Sequence, residues 1–257
     1  MIYYADKNEK TYITDLKKLC GKSSVTACRI MSLYESYGQY ELAQFWVQYN
    51  SNGKAVSAIS KYGGDMTVCM TDNTDTDELK RFMAVIGAAS VTSEKPISEC
   101  RESGIVMRLT EREKLKLCST DIRFDFTPSL PEVYRLLKQC EGDGFAVPEY
   151  EDFLLDTSHR LRHETALCCA VVKDNKPLSF AMTAALSSDT AVIGAVCTHP
   201  DYRRTGLGAE CVSRLIQQLQ GREILIMREK NQNEEFYQTL GFENEGKIYQ
   251  EIRKDEK

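Results

Sequence analysis

One loop of the sequence combines arginines and glycines in a way that could bind an anion. It reads His199-Pro200-Asp201-Tyr202-Arg203-Arg204-Thr205-Gly206-Leu207-Gly208 and runs into a segment with helical periodicity. The first N–H groups of a helix have no partner inside the helix, and the helix dipole adds a positive partial charge there. Glycines at 206 and 208 remove side chains that would keep a phosphate away, and Arg203 or Arg204 could add a charge-assisted hydrogen bond. The loop is therefore expected to bind a phosphate or a diphosphate.

Three interpretations of this loop remain open from the residues alone. The Gly-Leu-Gly sequence is close to the Gly-x-Gly-x-x-Gly motif of dinucleotide-binding folds. That motif opens a parallel strand–helix–strand unit, however, whereas this loop follows an antiparallel meander. The loop could also be an ordinary helix start without a ligand. The third interpretation is a site for the diphosphate of coenzyme A.

Hydrophobic periodicity predicts the elements that position the loop. The strand Thr190–Thr198 runs into it, and a helix over residues 206–220 leaves it. This helix carries an apolar stripe of Leu207, Cys211, Leu215 and Leu219. A residue at every fourth position faces one side of a helix, so the stripe should lie on the sheet. Two further strands, at 166–172 and 177–186, complete a meander before the loop.

The same order of elements occurs earlier in the chain. Three strands within residues 45–70 are followed by a helix at 77–89, and a strand and a helix within residues 1–20 precede them. In the second half, a strand at 122–126 and a helix at 130–140 precede the meander. The repeat predicts two tandem copies of one α/β unit of the α+β type.

The predicted domains are residues 1–110 and residues 121–257, each a mixed, mainly antiparallel sheet flanked by helices. They differ in the loop after the third strand of the meander. In the first copy this loop reads Thr71-Asp72-Asn73-Thr74-Asp75-Thr76-Asp77-Glu78, with four acidic residues and no glycine. A carboxylate-rich loop repels a phosphate, so only the second copy is expected to bind an anion.

Two motifs in the second copy resemble those of a known family. The segment 196–208 resembles the acetyl-CoA signature of the GCN5-related N-acetyltransferases, in which Arg/Gln-x-x-Gly-x-Gly/Ala stands at a helix start. Arg203, Gly206 and Gly208 match this pattern. Downstream, residues 233–242 (Asn-Glu-Glu-Phe-Tyr-Gln-Thr-Leu-Gly-Phe) resemble the family's Asn-x-x-Phe-Tyr-x-x-Leu-Gly-Phe helix. The resemblance covers about residues 121–257, and the first copy looks like a degenerate acyl-CoA N-acyltransferase-like domain that matches neither motif.

The resemblance implies an N-acetyltransferase that moves the acetyl group of acetyl-CoA to a primary amine by direct attack in a ternary complex. The strand end would hold the pantetheine arm, and the loop would hold the diphosphate. The cofactor-binding residues that it implies are Val196, Cys197, Thr198, Arg203, Arg204, Thr205, Gly206, Leu207, Gly208, Ala209 and Asn233. Asn233 is also expected to cap the helix that it opens. A non-enzymatic acyl-CoA sensor or interaction module with the same fold is the alternative.

Tyr237 lies where many members of the family have a tyrosine that protonates the departing thiolate. A phenol with an ordinary pKa near 10 stays protonated at neutral pH and can donate that proton. The alternative is that Tyr237 packs against Phe242 as part of an aromatic core.

The acceptor side of the reaction is less defined. In the family, the region that corresponds to residues 149–164 lies beside the acceptor, which is a small-molecule amine or a peptide amine. The substrate-binding residues that this implies are Asp152, Asp156 and His159. Together with Glu164 they are candidates for the general base, and a solvated helix surface is the alternative for each of them. No metal is expected, because the pair His159 and His163 lacks the carboxylate of the His-Glu-x-x-His motif.

Composition excludes several other classes of protein. The 38 acidic and 33 basic residues give a net charge of −5, which disfavours non-specific nucleic-acid binding. Apolar runs are too short to cross a membrane, and the first residues do not resemble a secretory signal, so a cytoplasmic protein is expected. The ten cysteines include no Cys-x-x-Cys pair and are interpreted as reduced thiols. Only Cys197 lies close to the predicted chemistry. The oligomeric state is not predicted.

Overall fold

The computed structural model describes residues 1–6, 9–98, 101–115, 123–142 and 145–252. Cys100, Cys118 and the first residue of the strand predicted at 122–126 lie outside the described residues. The chain forms two compact units. The first contains Met1–Val106 with Glu245–Lys257, and the second contains Met107–Asn244.

The first unit is a mixed sheet with three helices among its described residues. Its elements are β1 (Ile2–Tyr4), α1 (Lys10–Leu19), α2 (Val25–Tyr37), β2 (Ala43–Tyr49), β3 (Ala55–Tyr62), β4 (Asp65–Met70), α3 (Thr76–Val85) and β5 (Ser90–Ser93), and β6 (Arg101–Leu109) crosses the boundary between the units. Strands β1 to β4 pair antiparallel in chain order, and β4 pairs with β5 in parallel.

The second unit repeats this arrangement. Its elements are β7 (Arg123–Asp125), α4 (Leu130–Cys140), α5 (Tyr150–Arg162), β8 (Cys168–Lys173), β9 (Lys176–Leu186), β10 (Thr190–Thr198), α6 (Leu207–Gln218), β11 (Glu223–Arg228) and α7 (Glu234–Thr239), and β12 (Phe242–Ile252) begins in this unit. Strands β7 to β10 pair antiparallel, and β10 pairs with β11 in parallel. Both units therefore follow the order strand, two helices, three strands, helix, strand, which confirms the predicted repeat and fold class.

The compact units are divided differently from the predicted domains. Residues Tyr249–Ile252 of β12 pair antiparallel with Ser90–Ser93, so this part of β12 belongs to the sheet of the first unit. The strand pattern of residues 242–252 indicates an element but not the strand with which it pairs. The predicted boundary at 121 likewise falls inside the second unit, which starts at Met107.

Helix α6 is fixed to the sheet of the second unit by the predicted apolar stripe. Cys211, Leu215 and Leu219 are fully buried, and Leu207 is partly buried at the start of the helix. Burying a leucine side chain contributes about 1.5–3 kcal/mol, so the stripe holds the helix start beside the end of β10. Seven of the eight described cysteines are buried, as expected for thiols used as small core residues. Within the described residues, no helix has the length and the apolar content that crossing a membrane requires.

Candidate functional site

The strands β10 and β11 separate at the end that leads to the loop. They pair over Thr190–Ile193 and Glu223–Ile226, and the described pairs end there although both strands continue. Beyond this point β10 bulges away from its register with β9, between Gly194 and Cys197, and Ala195 adopts a left-handed conformation with φ of 49°. Backbone N–H and C=O groups that do not pair with a neighbouring strand require other hydrogen-bond partners. The end of β10 therefore offers the side facing away from β9 to a ligand.

Hydrogen bonds tie the last residues of β10 to β9 and to the loop. The Ser179 hydroxyl donates to the carbonyl oxygen of Cys197 at 2.9 Å and lies 3.0 Å from the hydroxyl of Thr198. The Nε atom of Arg203 donates to the carbonyl oxygen of Thr198 at 3.3 Å. Arg203 thus holds the loop against the strand, while its side chain remains exposed.

The loop after β10 has the backbone conformation of an anion site. Arg204 and Gly206 are left-handed, with φ of 65° and 88°. Left-handed residues of this kind turn successive N–H groups toward one side and create anion-binding concavities. Gly206 is the N-cap of α6 and has no side chain, and the first helical hydrogen bond runs from the N–H of Glu210 to Gly206 at 3.0 Å. The N–H groups of residues 207–209 therefore have no acceptor within the helix, as predicted for this loop.

The two glycines of the loop serve different purposes. A Cβ atom at Gly206 would meet nothing within 4 Å, so glycine is favoured there by the left-handed backbone. A Cβ atom at Gly208 would lie 3.0 Å from the Thr198 hydroxyl and 3.7 Å from the ring of Phe236. Gly208 therefore allows the start of α6 to approach both the end of β10 and α7. The predicted cofactor-binding residues of the strand end and of the loop thus come together.

Tyr237 lies on α7 within an aromatic cluster. Its ring packs edge-on against Phe236 and Phe242, with centroid distances of 4.9 and 5.8 Å. Burial raises the pKa of Tyr237 to about 12, so the hydroxyl stays protonated at neutral pH. Among the described residues, none hydrogen-bonds to this hydroxyl. The packing agrees with the aromatic-core alternative, and the role of the hydroxyl as an acid stays a prediction.

A buried arginine, which sequence reasoning missed, anchors the start of α7. The side chain of Arg228 is 3% exposed, and its Nη2 atom lies 2.8 Å from a carboxylate oxygen of Glu234 and donates to the amide oxygen of Asn244 at 3.2 Å. The amide nitrogen of Asn244 donates to the other carboxylate oxygen of Glu234 at 2.8 Å. The feature of the sequence that could have indicated this buried arginine is its position directly after the apolar run 224–227.

The structure corrects the predicted capping role of Asn233. This asparagine occupies the N-cap position of α7, but its backbone is left-handed, with φ of 55°, and its side chain makes no capping hydrogen bond. A capping residue usually has an extended backbone, which aims its side chain at the first turn. The predicted capping role of Asn233 is therefore wrong, and the Arg228–Glu234 pair secures this helix end instead.

The residues predicted for the acceptor lie on α5 and just after it. The Asp156 carboxylate is 3.4 Å from the guanidinium of Arg160, which also donates to the carbonyl oxygens of Thr183 and Ala184 at 3.2 and 2.9 Å. Asp156 is thus anchored toward β9, whereas Asp152 and Glu164 are exposed. The rings of His159 and His163 lie 4.4 Å apart. In the described part of the chain, no three or more His, Cys, Asp or Glu side chains form a group that could hold a metal ion.

The first unit fills the corresponding positions with its own side chains. Asp75 caps α3 by accepting a hydrogen bond from the N–H of Glu78 at 2.9 Å. At the end of β4, the Lys22 ammonium donates to the carbonyl oxygen of Met70 at 3.2 Å. The start of α3 therefore has a side-chain cap that the start of α6 lacks, whereas the carbonyl oxygen at the strand end accepts a side-chain hydrogen bond in both units.

Comparisons with known proteins agree with this geometry. Residues 130–242 match the model of the acetyltransferase (GNAT) family. A tandem GNAT protein from the clavulanic acid biosynthesis pathway shares the fold with a TM-score of 0.62 at 11% identity, covering 98% of each chain. An acetyltransferase of the GNAT family from Colwellia psychrerythraea has a TM-score of 0.60 at 12% identity, covering 99% of this chain and all of its own (100%). A GCN5-related N-acetyltransferase from Sphaerobacter thermophilus has a TM-score of 0.57 at 13% identity, covering 94% of this chain and 90% of its own. No curated protein matches the sequence. Residues 130–242, in the second of the two units, thus match the GNAT family, and the chain as a whole has the fold of a tandem GNAT protein.

Proposed function

We propose that the chain is a cytoplasmic N-acetyltransferase that transfers the acetyl group of acetyl-CoA to a primary amine, and that only its second unit is active. The observation that carries this proposal is the exposed loop 199–208, in which uncapped N–H groups of α6 adjoin a strand end that has parted from its neighbour. A diphosphate on the loop places an extended pantetheine arm along β10. This combination suits coenzyme A better than a free phosphate or a dinucleotide.

The residues of the second unit have distinct roles in this reaction. Bound acetyl-CoA supplies the thioester carbon that the amine attacks. The N–H groups of residues 207–209, together with Arg204, bind the diphosphate. Backbone groups of residues 196–198 hold the pantetheine arm and orient the thioester carbonyl. Tyr237 donates its proton to the sulfur as the carbon–sulfur bond breaks, which its raised pKa permits at neutral pH.

The acceptor is proposed to be a cationic amine. The start of α5 carries Glu149, Glu151 and Asp152, all of them exposed. Exposed carboxylates attract an ammonium group over a distance of about 8 Å at physiological salt. The amine must then lose a proton before it attacks, and Asp152 is a better candidate for this step than Asp156, which is paired with Arg160.

Binding of acetyl-CoA tests the loop. Calorimetric titration should give one site per chain. The substitution Arg204→Gln should weaken binding by about tenfold, because it removes a charge-assisted hydrogen bond to the diphosphate. Lys80→Gln is the matched control, since Lys80 is a partly exposed cation near the start of α3, the equivalent helix of the first unit. Two equal sites, or equal losses in both variants, would contradict the proposed asymmetry.

A turnover assay tests whether the protein is an enzyme. Release of free thiol from acetyl-CoA is measured across a panel of polyamines, aminoglycosides and lysine peptides. At least one amine should accelerate thiol release above the rate of hydrolysis, and mass spectrometry should show the acetylated product. Tight binding without turnover on every amine would favour the sensor over the enzyme.

A further inference from the structure

A buried serine of β9 holds the end of β10. Ser179 stands opposite Thr198 in the antiparallel register, and it is fully buried. Its hydroxyl donates to the carbonyl oxygen of Cys197 at 2.9 Å and lies 3.0 Å from the hydroxyl of Thr198. A hydroxyl has one proton and two lone pairs, so Ser179 donates to the carbonyl and accepts from Thr198. Both bonds end on the two residues with which β10 enters the loop.

The bond to Cys197 fixes the direction of the next N–H group. The peptide unit between Cys197 and Thr198 is trans and planar, so its C=O and N–H groups point in opposite directions. Because the carbonyl oxygen faces Ser179 on β9, the N–H of Thr198 points away from β9. On that side of β10 the described pairs with β11 end at Ile193. The N–H of Thr198 therefore faces the side that is proposed to receive the pantetheine arm.

The bulge in β10 makes side-chain bonds important at this strand end. The register with β9 shifts between Gly194 and Cys197, and Ala195 is left-handed. A bulge bends the strand and interrupts the regular ladder, so the ladder alone does not fix the direction of the residues that follow. A buried carbonyl that loses its donor is costly, and without the Ser179 hydroxyl the peptide unit after Cys197 would turn toward another donor.

The first unit has a serine at the equivalent position, but its hydroxyl has a different partner. Ser57 of β3 lies beside the end of β4 and is also fully buried. Its hydroxyl donates to the side-chain oxygen of Gln48, which stands opposite it on β2, at 3.3 Å. The residue opposite Ser179 on β8 is Val171, whose side chain has no hydrogen-bonding group. The same hydroxyl thus bonds to a side chain in the first unit and to the strand end in the second.

We propose that Ser179 is a positioning residue for acetyl transfer, which aims the N–H of Thr198 at an amide carbonyl of the pantetheine arm and so fixes how far the arm extends along β10. This inference rests on the proposed function. Thr198 is the residue of β10 nearest to the loop, so the arm meets it before the thioester does. Misplacing a reacting group by about 1 Å can cost about 100-fold in rate, so the register of the arm matters for the thioester at its end.

The arm and the diphosphate make separable contributions to binding. Acetyl-CoA contains both, whereas adenosine diphosphate has the diphosphate without the arm. Ser179→Ala should weaken binding of acetyl-CoA by about fivefold, which corresponds to one hydrogen bond, and should leave binding of adenosine diphosphate unchanged. It should also lower kcat at saturating acetyl-CoA by about tenfold or more. Calorimetric titration and thiol release on the full chain measure these quantities.

Two further substitutions separate positioning from a loss of stability. Ser179→Thr keeps the hydroxyl and should restore most of the rate and of the affinity. Ser179→Cys fills nearly the same space with a weaker donor, should lie between wild type and Ser179→Ala, and replaces the threonine variant if the added methyl group prevents folding. Ser57→Ala is the matched control, because it also removes a fully buried hydroxyl from a strand with neighbours on both sides. Its melting temperature should fall about as far as that of Ser179→Ala, while kcat and acetyl-CoA binding stay at the wild-type values.

Several results would overturn this role of Ser179. Equal weakening of acetyl-CoA and adenosine diphosphate would show a general distortion of the loop. An unchanged kcat in Ser179→Ala, or an equal loss in Ser57→Ala, would remove the link to the reaction. A wild-type chain that binds acetyl-CoA but acetylates no amine would contradict the proposed function, while the two binding constants would still decide on Ser179. A wild-type chain that does not bind acetyl-CoA would contradict both.

Discussion

The ion pair between the buried Arg228 and the partly exposed Glu234 leads to an asymmetric prediction. The side chain of Arg228 is 3% exposed, whereas that of Glu234 is 40% exposed. Glu234→Gln therefore leaves a guanidinium charge in the interior, while Arg228→Met leaves a carboxylate that water can reach. Breaking a fully buried pair by removing one partner costs about 3–5 kcal/mol. Because water reaches Glu234 and Asn244 remains as a partner, we expect about 2 kcal/mol for Glu234→Gln and about 1 kcal/mol for Arg228→Met.

The double variant gives the sharper test. Once Arg228 is replaced, the carboxylate has no buried partner, so Glu234→Gln should cost almost nothing further. The double variant should then be more stable than Glu234→Gln alone, with a coupling energy of about 1–2 kcal/mol. If the loss of unfolding free energy in the double variant equals the sum of the losses in the two single variants, the reasoning is refuted.

Urea unfolding followed by far-ultraviolet circular dichroism measures these free energies. The single tryptophan of the chain, Trp46, lies in β2 of the first unit, so its fluorescence reports that unit separately. Glu235→Gln is the matched control, since Glu235 is the exposed neighbour on the same helix. A loss of stability in Glu235→Gln as large as that in Glu234→Gln would also contradict the buried-pair explanation.

Three further predictions follow from single residues. Gly241→Ala should lower the melting temperature much more than Gly206→Ala does. Both glycines have φ of 88°, but only at position 241 would a Cβ atom clash, at 2.2 Å from the carbonyl oxygen of Glu111. Gly206→Ala should cost only about 1–2 kcal/mol of backbone strain, and calorimetry that gives equal shifts would contradict this explanation. Tyr237→Phe should slow thiol release by about 100-fold without changing acetyl-CoA binding. With its pKa raised to about 12, Tyr237 should cause no fall in the wild-type rate between pH 7 and pH 9, and unchanged turnover in the variant would remove it from the mechanism. Asp75→Ala should cost about 1 kcal/mol through loss of the helix cap, while titration still gives one acetyl-CoA per chain; a second site would count against the asymmetry.

Local patterns made much of the fold and of the loop predictable from the sequence. The helix start at residues 206–208 and the buried stripe of α6 depend on residues that are neighbours in the chain, so residue type and spacing reveal them. The pairing of Asp156 with Arg160 could also have been predicted, because residues four apart on a helix face each other.

Features that depend on distant parts of the chain were missed. The partner of β12 and the pairing of Arg228 with Asn244 both join segments that are distant in the sequence. The backbone conformation of Asn233 was also missed, since asparagine is common both as an extended cap and as a left-handed residue. In each case the sequence shows the type of the residue but not the residues that surround it in the folded chain.

The side chains at the equivalent positions of the first unit oppose the gain of an anion site there. The bond from Lys22 to Met70 and the cap by Asp75 each contribute about 0.5–1.5 kcal/mol to folding. A mutation that removes one of these bonds lowers stability at once, whereas an anion site of the kind proposed for the second unit also requires glycines and a cation. Selection for stability therefore opposes the first step toward a second anion site in this chain.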